Sequence, residues 1–411
     1  MGKIYGADVP VQSAFPDASP RKKGGAKNGD KGLLLYIHVP FCQSRCHYCN
    51  FHSQAFNQVT FAWYHKLLLK EIELWGKRLR KPQLKTIYFG GGTPSMMPLQ
   101  QLSMVMKTLE KSFVFGPSME VTLEANPDSA QDVSYFRALL SMGFNRLSLG
   151  MQSLNDVELQ LMGRPHSAGM TLAAFDAARR AGFGNIGLDL IWGLPGQKLK
   201  PWLDQLAAVT NMRPEHISSY NLTVEPNTVM EKICNESEEF SLPPEQEQGR
   251  MFIYGAEYLE SMGYMHYEVS NFARMGFMST HNSGYWNASD YLGLGPSAVS
   301  TIGRRRFNNP RYMDEYDAYV RGGLVGQDHE HLTDKDLLAE MVMLALRTSK
   351  GLNLKEFRKK AGFDLMQRQK QLITALHREH LIRISHGFLR LTKNGMLVSN
   401  VIIRRLAFDT D

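Results

Sequence analysis

The sequence predicts an α/β fold, in which a six-stranded parallel sheet is followed by a smaller C-terminal α+β domain. The first observation is a series of short apolar runs separated by amphipathic stretches of helical length. The runs lie at 33–39, 86–89, 120–124, 146–149, 186–191 and 216–220. Strands that alternate with helices form right-handed βαβ units, which pair as a parallel sheet. The second observation is that the last 75 residues or so have the helix and hairpin periodicities of a winged helix.

The chain begins with a segment that is not expected to fold. Residues 1–31 are rich in Pro, Gly, Ser, Ala and Lys and have no hydrophobic periodicity, so we expect a disordered tail. The first ten residues, MGKIYGADVP, lack the apolar core of a secretory signal. No run of about 18 apolar residues follows, and the four cysteines are not arranged in pairs. We therefore expect a cytoplasmic protein without a membrane span.

The first predicted strand, Leu33–Val39, leads directly into a cysteine-rich loop. The spacing C-x3-C-x2-C is formed by Cys42, Cys46 and Cys49. Three thiolates on one loop can bind three irons of a [4Fe–4S] cluster and leave the fourth iron open to another ligand. The alternative is a zinc site that uses the same thiolates with a neighbouring histidine, His47 or His52. Zinc-binding cysteines usually come as two separated pairs, which favours the cluster. The remaining cysteine, Cys234, stands alone.

Five helices are predicted between the strands, at 62–79, 99–111, 133–142, 170–181 and 202–209. In such a sheet the functional residues lie at the C-terminal ends of the strands. The second strand is followed by GGGTP at 90–94, where glycines allow a ligand to approach the backbone closely. The third strand ends in Glu124, within EANP. A carboxylate at this position can accept hydrogen bonds from a ribose diol, or it can cap the next helix.

The fourth and fifth strands carry polar residues as well. The fourth reads RLSLGMQS and contains Gln152 near its end, and Arg164 follows in LMGRPHS. The fifth contains Asp189 in an otherwise apolar run and is followed by GLPGQ. A buried aspartate without a partner is costly, so we expect Asp189 to pair with Arg164 or with a ligand. Polar and glycine-rich motifs at successive strand ends together predict one binding site.

These motifs as a set resemble the radical S-adenosylmethionine (radical SAM) proteins related to oxygen-independent coproporphyrinogen III oxidase. The shared segments are YIHVPFC, GGGTP, EANP, RLSLGMQS and DLIWGLPGQ, and the likeness extends from about residue 33 to 405. It implies a partial, TIM-like (β/α)6 barrel with a [4Fe–4S] cluster on Cys42, Cys46 and Cys49, whose open iron is chelated by SAM. The residues that the resemblance implies as SAM contacts are Tyr36, Gly91, Gly92, Thr93, Glu124, Gln152, Arg164 and Asp189.

Two departures separate this chain from the oxidase. Where the oxidase has a fourth cysteine, two residues after the third, this chain has Phe51, and the oxidase's folded N-terminal extension is replaced by the predicted tail. The segment HNSGYW at 281–286 resembles the signature of the HemW subgroup, which is described as haem chaperones. The resemblance implies that haem is a further cofactor. We expect His281, in a loop, to be the haem ligand, with His266 as the weaker candidate.

The C-terminal segment is expected to be a basic winged-helix-like domain. Its helices are predicted at 337–345, 354–361 and 365–379, its hairpin at 381–384 and 388–391, and its closing helix at 396–406. Residues 347–411 carry 14 Lys and Arg against 5 Asp and Glu, in a chain whose net charge is +7. Such a domain can bind nucleic acid or simply present a solvated basic surface. Because a fold alone does not assign a function, we expect a lid or docking surface and no stable binding of nucleic acid.

The sequence therefore predicts four segments: a tail at 1–31, a radical SAM barrel at 32–225, an extension with HNSGYW at 226–325, and the winged-helix-like domain at 326–411. We favour a haem chaperone that binds haem and a SAM-ligated [4Fe–4S] cluster and transfers haem to an acceptor, such as a respiratory haem protein at the membrane. One alternative is a radical SAM enzyme that decarboxylates coproporphyrinogen III. The other is a radical SAM enzyme that acts on nucleic acid. Phe51 and the HNSGYW segment favour the chaperone, and whether the chain is also an enzyme stays open.

Overall fold

A computed structural model of the chain describes residues 32–130, 132–236 and 241–408. From Gly32 onward the chain forms one compact unit. The predicted tail at 1–31 lies outside the described residues. Three hydrophobic cores are present among the described residues: a large one in the barrel, a small one that includes Leu159 and Met230, and one between Ala339 and Ala407. The core between Ala339 and Ala407 lies within the predicted C-terminal domain, whose exact boundaries stay a prediction.

The first half of the described chain alternates strands and helices. In order, its elements are β1 (Leu33–Val39), β2 (Phe41–Cys42), β3 (Gln54–Ala55), α1 (Gln58–Arg78), β4 (Gln83–Gly91), α2 (Leu99–Ser112), β5 (Val114–Ala125), α3 (Val133–Ser141), β6 (Arg146–Gln152), α4 (Asp156–Leu161), α5 (Ala168–Ala181), β7 (Ile186–Trp192), α6 (Leu199–Asn211) and β8 (His216–Asn221). A short 3₁₀ turn, Pro94–Met96, follows β4. Each predicted strand and helix of this half is present, so the predicted α/β class is confirmed.

The second half adds short strands and the C-terminal helices. Its elements are α7 (Val229–Glu236), α8 (Glu245–Ser261), β9 (Met265–Glu268), β10 (Asn271–Ala273), α9 (Thr280–Trp286), β11 (Tyr291–Leu294), β12 (Val299–Ile302), β13 (Arg305–Asn308), α10 (Met313–Arg321), β14 (Glu330–His331), α11 (Asp334–Leu346), β15 (Leu352–Asn353), α12 (Leu354–Ala361), α13 (Leu365–Arg368), α14 (Lys370–Arg378), β16 (Ile382–Ser385), β17 (Phe388–Leu391), α15 (Lys393–Leu397) and α16 (Ser399–Phe408). None of the helices in the described ranges has the length and hydrophobicity needed to cross a bilayer.

The main sheet has the order β14-β13-β12-β11-β1-β4-β5-β6-β7-β8-β10-β9. Its central strands, from β11 to β8, are parallel. Antiparallel strands extend it on both sides. The six predicted strands are therefore confirmed, and β11 is a seventh parallel strand that we did not predict. Because the central strands are parallel, their C-terminal ends lie along one edge, where the cysteine loop also begins.

Local signals fix the helix ends. The side chain of Asn57 accepts hydrogen bonds from two amides of the first turn of α1, and Ser167 caps α5 in the same way. These caps satisfy N–H groups that have no partner within the helix. At the other end of α5, Gly182 adopts a φ of +113°, a left-handed conformation that favours glycine. The barrel helices therefore begin and end where the sequence provides a cap.

The C-terminal helices pack with a three-stranded sheet of order β15-β17-β16, as in a winged helix. Two predicted helices are each divided in two. The one predicted at 365–379 is interrupted at Gln369, whose φ of −106° and ψ of 30° leave the helical region. The predicted closing helix is interrupted at Val398, with a φ of −109° and a ψ of 21°. The periodicity of apolar residues continued across both interruptions, which is why it did not reveal them.

Candidate functional site

The cysteine loop and the C-terminal ends of the parallel strands enclose a cavity of about 380 Å³. This volume is in the usual range for small-molecule sites. The site residues named from the sequence that line it are Cys42, Cys46, Cys49, Gly91, Gly92, Thr93, Glu124, Gln152, Arg164 and Asp189. The fold therefore brings together residues from five separate segments of the chain. Phe51, 65% exposed, lies on the wall of the same cavity.

The glycine-rich turn after β4 packs directly on the backbone that carries the cysteines. The Gly92 amide donates to the Val39 carbonyl at 2.8 Å, and the Thr93 amide donates to the Phe41 carbonyl at 2.7 Å. A Cβ added at Gly92 would lie 2.5 Å from the Phe41 oxygen. A side chain at this position would therefore push the turn away from the cysteine loop. The glycine is required for this contact within the protein, in addition to any contact with a ligand.

The three loop cysteines fit an iron–sulfur cluster better than a single metal ion. All three are half-buried free thiols that line the cavity. Burial raises the pKa of the Cys42 and Cys49 thiols. Nowhere in the described residues do three His, Cys, Asp or Glu side chains converge as the ligands of one metal ion. Zinc needs such convergence, at about 2.0 to 2.3 Å, whereas a [4Fe–4S] cluster takes one thiolate for each ligated iron. The donor set thus disfavours the zinc alternative.

Glu124 faces the cavity as a hydrogen-bonded carboxyl. It accepts a hydrogen bond from the Tyr88 hydroxyl at 2.8 Å and one from the Gly91 amide at 3.2 Å. Burial raises the pKa of Glu124 to about 7, against the opposing effect of the Tyr88 hydrogen bond. The alternative role, capping the next helix, is filled by Asp132, whose side chain accepts from the Ser134 amide. Glu124 is therefore free to act as an acceptor for a ligand.

Asp189 and Arg164 do not form the hydrogen-bonded pair that the sequence suggested. Asp189 accepts from the Ser148 hydroxyl at 3.0 Å, and burial raises the pKa of its carboxyl. The Arg164 guanidinium donates instead to the Cys46 sulfur at 3.1 Å, to the Asn126 side chain at 3.2 Å and to the Gly150 carbonyl at 3.0 Å. No hydrogen bond joins Arg164 to Asp189, so the predicted pairing of these two residues is wrong, while the alternative, a ligand as the partner of Asp189, stays a prediction. The charge of Arg164 lies where cluster thiolates would need compensation.

Arg146, on the cavity wall at the beginning of β6, was missed by the sequence reasoning. It is 1% exposed, and its Nε and Nη1 atoms have no hydrogen-bond partner. Burial acts to lower the pKa of its guanidinium, but nearby acidic groups, Glu120 first, raise it overall. The signal was present in RLSLGMQ, because Arg146, Ser148, Gly150 and Gln152 alternate with apolar residues. Alternate residues of a strand point to one face. Tyr88, Asn126, Ser218, Tyr220 and Asn282 also line the cavity and were not named as site residues.

Tyr36 lies beside the cavity but not on its wall. Its hydroxyl is 3.1 Å from His38 Nδ1, and its ring stacks on Tyr88 with 6.2 Å between the centroids. Tyr88 in turn donates to Glu124. Tyr36 therefore supports a cavity residue through packing, and the structure does not bring it to the position of a direct contact.

His281 lies in helix α9, so the expectation of a loop is wrong. Ser279 caps this helix, and the Glu120 carboxylate accepts from the amides of both Thr280 and His281 at 2.9 Å. The His281 imidazole is 1% exposed, with Nδ1 2.7 Å from Thr86 Oγ1 and Nε2 3.0 Å from Tyr285 Oη. Burial lowers its pKa to about 3, so the ring is neutral at pH 7. Both nitrogens are thus engaged within the protein.

The HNSGYW segment is nevertheless close to the cysteine cavity, because Asn282 lines it. More than 200 residues separate this segment from the cysteines along the chain, so the fold brings the two together. The other candidate ligand, His266, lies on β9 and stacks on Phe272 with 4.2 Å between the ring centroids. Its Nε2 atom is 3.4 Å from the Val269 carbonyl oxygen. Neither histidine faces an open cavity with a free nitrogen in this structure.

Comparison with known proteins agrees with this architecture. Residues 36–206 match the radical SAM superfamily, and residues 332–398 match the HemN C-terminal domain. The chain is 34% identical over 371 residues to the heme chaperone HemW of Bacillus subtilis (strain 168), covering 89% of this chain and 97% of that protein. It is 33% identical over 393 residues to the mitochondrial radical S-adenosyl methionine domain-containing protein 1 of Bos taurus, covering 92% and 88%.

A solved structure supports the same fold. Coproporphyrinogen III oxidase (HemN) from Escherichia coli, a radical SAM enzyme, matches with a TM-score of 0.78 over 92% of this chain and 90% of that one. The two sequences are 24% identical, so this likeness concerns the fold alone. The match to the Bacillus heme chaperone HemW, at 34% identity over 97% of that protein, identifies the family. The chain belongs to the HemW family of radical SAM proteins.

Proposed function

We propose that this protein is a haem chaperone, which binds haem and a SAM-ligated [4Fe–4S] cluster and passes the haem to an acceptor protein. The observation that carries this proposal is the match to heme chaperones HemW over almost their whole length. The share of the relative covered is 97% for the Bacillus subtilis protein and also 97% for that of Haemophilus influenzae, at 31% identity. The cavity beneath the cysteine loop supports the part of the proposal that concerns the cluster and SAM.

In this proposal the cluster is held by Cys42, Cys46 and Cys49, and it offers an open iron to the amino and carboxylate groups of SAM. The cavity residues would then orient SAM. Glu124 and Asp189 present acceptors for ligand hydroxyl groups, and burial behind the cysteine loop strengthens such hydrogen bonds. Arg164 donates to the Cys46 sulfur and balances the negative charge of thiolates. Gly91, Gly92, Thr93 and Gln152 complete the predicted contacts, while Tyr36 acts through Tyr88.

The sequence-based prediction that His281 is the haem ligand is untested, and the surroundings of His281 in the structure disfavour it. Ligation of iron would require the imidazole to give up its contact with Thr86 or with Tyr285, and to leave a site where it is 1% exposed. Removing a buried hydrogen bond of this kind costs about 1 to 3 kcal/mol. Haem binding through His281 would therefore need a movement of α9. A cytoplasmic location and respiratory haem proteins as acceptors are further parts of the proposal.

The proposal is tested by anaerobic titration of the cluster-loaded protein with haem, followed through the Soret band. We expect about one haem per chain and transfer of that haem to an added apo-haem protein. A parallel assay with coproporphyrinogen III and SAM should give no decarboxylation. A Cys234→Ser variant is the matched control, because it removes the cysteine outside the loop and should bind haem like the wild type. SAM-dependent decarboxylation without haem binding would instead assign the oxidase function.

A further inference from the structure

A second cavity, of about 470 Å³, lies between the C-terminal end of α9 and the C-terminal helices. We call it the α9–α11 crevice. One wall is formed by five apolar residues of α11, and the others are formed by α9, β17, α12 and the segment before α12. The apolar residues of α11 are Leu337, Leu338, Met341, Leu344 and Ala345. Their spacing puts them on neighbouring positions of one helix face. Trp286 and Phe388 add two aromatic rings.

Trp286, the last residue of the HNSGYW segment, is the first sign of a ligand. Its indole is half-buried, yet it makes no ring contact and no hydrogen bond with the described part of the chain. Aromatic side chains commonly pack in pairs, and a tryptophan N–H usually finds a partner when it is buried. The two preceding ring residues of α9 behave differently, because His281 and Tyr285 contact each other at 3.0 Å. Trp286 therefore presents an unused flat face to the crevice.

The charges around the crevice favour an anionic group at its edge. The acidic residues on its wall are already paired: Asp334 with Arg304, Glu340 with Arg306 at 2.5 Å, and Glu356 with Lys360 at 3.2 Å. Lys350 also lines the crevice, is exposed, and forms no ion pair with the described residues. Three basic and three acidic side chains line the crevice, and Lys350 is the basic one without an acidic partner among the described residues. A flat apolar ring system with a carboxylate at its margin matches this combination of surfaces.

We infer that haem docks in the α9–α11 crevice, with its macrocycle against Trp286 and the apolar face of α11, and with a propionate at Lys350. This inference rests on the proposed function and names the site that would serve it. The cysteine cavity is a less suitable place, because its wall is formed by the cluster cysteines and the predicted SAM contacts. His281 faces the barrel, through Thr86, and does not line the crevice.

The test uses the full chain with its cluster reconstituted, titrated with haem under anaerobic conditions. Trp286→Ala should weaken haem binding about tenfold or more, the usual effect of removing a central aromatic contact. Lys350→Glu should weaken it about tenfold at low salt and less at high salt, because an exposed charge is screened. With haem dimethyl ester, which lacks the carboxylates, Lys350→Glu should have no effect. SAM affinity and iron content should stay unchanged in both variants.

Matched controls make the outcome specific. Tyr312→Ala removes a 62% exposed aromatic residue elsewhere, and Lys359→Glu makes the same charge change on α12 outside the crevice. Both should bind haem like the wild type. If the wild type binds haem and neither crevice variant differs from its control, the inference is wrong and the chaperone proposal stands. If the wild type binds no haem, the proposed function itself fails. If Trp286→Ala loses its cluster, the haem affinity of Lys350→Glu, a substitution of an exposed residue, tests the inference by itself.

Discussion

Replacing Glu124 by glutamine should make the cofactor-free protein more stable at high pH. Burial raises the pKa of Glu124 from its ordinary 4.5 to about 7. In the unfolded chain Glu124 has the ordinary pKa, so its carboxyl binds the proton more tightly in the folded protein. The free energy of unfolding therefore falls as the pH rises from 4.5 to 7. At about 1.4 kcal/mol per pH unit, the loss above pH 7 is roughly 3 kcal/mol at most. Solvent in the cavity screens part of this loss in the wild type. Glutamine also accepts fewer hydrogen bonds than a carboxylate, which reduces the gain from the substitution. We therefore expect a gain of about 1 to 2 kcal/mol at pH 8.

Urea unfolding of the cofactor-free protein, with its thiols reduced, measures this gain at pH 5 and at pH 8. The control is Glu110→Gln, an exposed residue of α2 whose substitution should change little at either pH. Other buried acids with a raised pKa, such as Glu71 and Glu268, are common to all variants and cancel in the comparison. A stabilisation that is equal at both pH values, or a clear destabilisation at pH 8, would refute the reasoning. The carboxylate's hydrogen bonds would then outweigh its burial.

The same substitution should weaken SAM binding, because a ligand hydroxyl loses an ionised acceptor. We expect about a tenfold loss at pH 8 for Glu124→Gln, the scale of one charge-assisted hydrogen bond. The wild type should also lose SAM affinity between pH 8 and pH 6, as the Glu124 carboxyl takes up its proton, whereas the variant should not. Equilibrium dialysis of the cluster-loaded protein measures both effects. A residue that lowers stability and raises ligand affinity is typical of a binding site.

Three further substitutions test the rest of the site. Alanine at all three loop cysteines should abolish cluster binding, whereas Cys234→Ser should retain it, as measured by iron and sulfide analysis. A full cluster in the triple variant would contradict the assignment of these cysteines as the cluster ligands. Asp189→Asn should weaken SAM binding about tenfold without loss of the cluster, and an unchanged affinity would make Asp189 structural. His281→Ala should lower stability by about 1 to 3 kcal/mol, because Thr86 loses a buried partner, and should change haem affinity only a few-fold. Loss of haem binding there, with the fold intact, would support the sequence-based prediction of His281 as ligand.

The cysteine cavity could be predicted from the sequence because polar residues recur at the C-terminal ends of successive parallel strands. Each parallel strand is a short apolar run, and the residues at its C-terminal end must lie near the corresponding residues of the next strand. Glu124 ends β5, Gln152 ends β6, and Asp189 lies within β7. No long-range information was needed to expect these residues together. Arg146 was missed because it begins a strand, at the end where only structural residues were expected.

Other features depend on contacts that no local pattern contains. β11 is only four residues long and includes a glycine, so its pairing beside β1 has little signature of its own. The partner of Asp189 depends on strand register, which brings Ser148 within 3.0 Å. α9 has Asn, Ser and Gly among its seven residues, all poor helix formers. Its first turn is held by Glu120, which lies 160 residues earlier in the chain than Thr280.

The position of α9 places residues of the HNSGYW segment on the walls of both cavities. Asn282 lines the cysteine cavity and Trp286 lines the crevice, so one short helix forms part of both walls. Four helical residues span about 6 Å, which is a single turn. The glycine between them allows α9 to pack closely on β1, because a Cβ at Gly284 would lie 2.3 Å from a terminal methyl of Leu34, which would have to shift. His281 fixes the helix to the barrel from the inside. His281, Asn282 and Trp286 therefore face different surroundings, and the residue that meets the crevice is the tryptophan at the end of the segment.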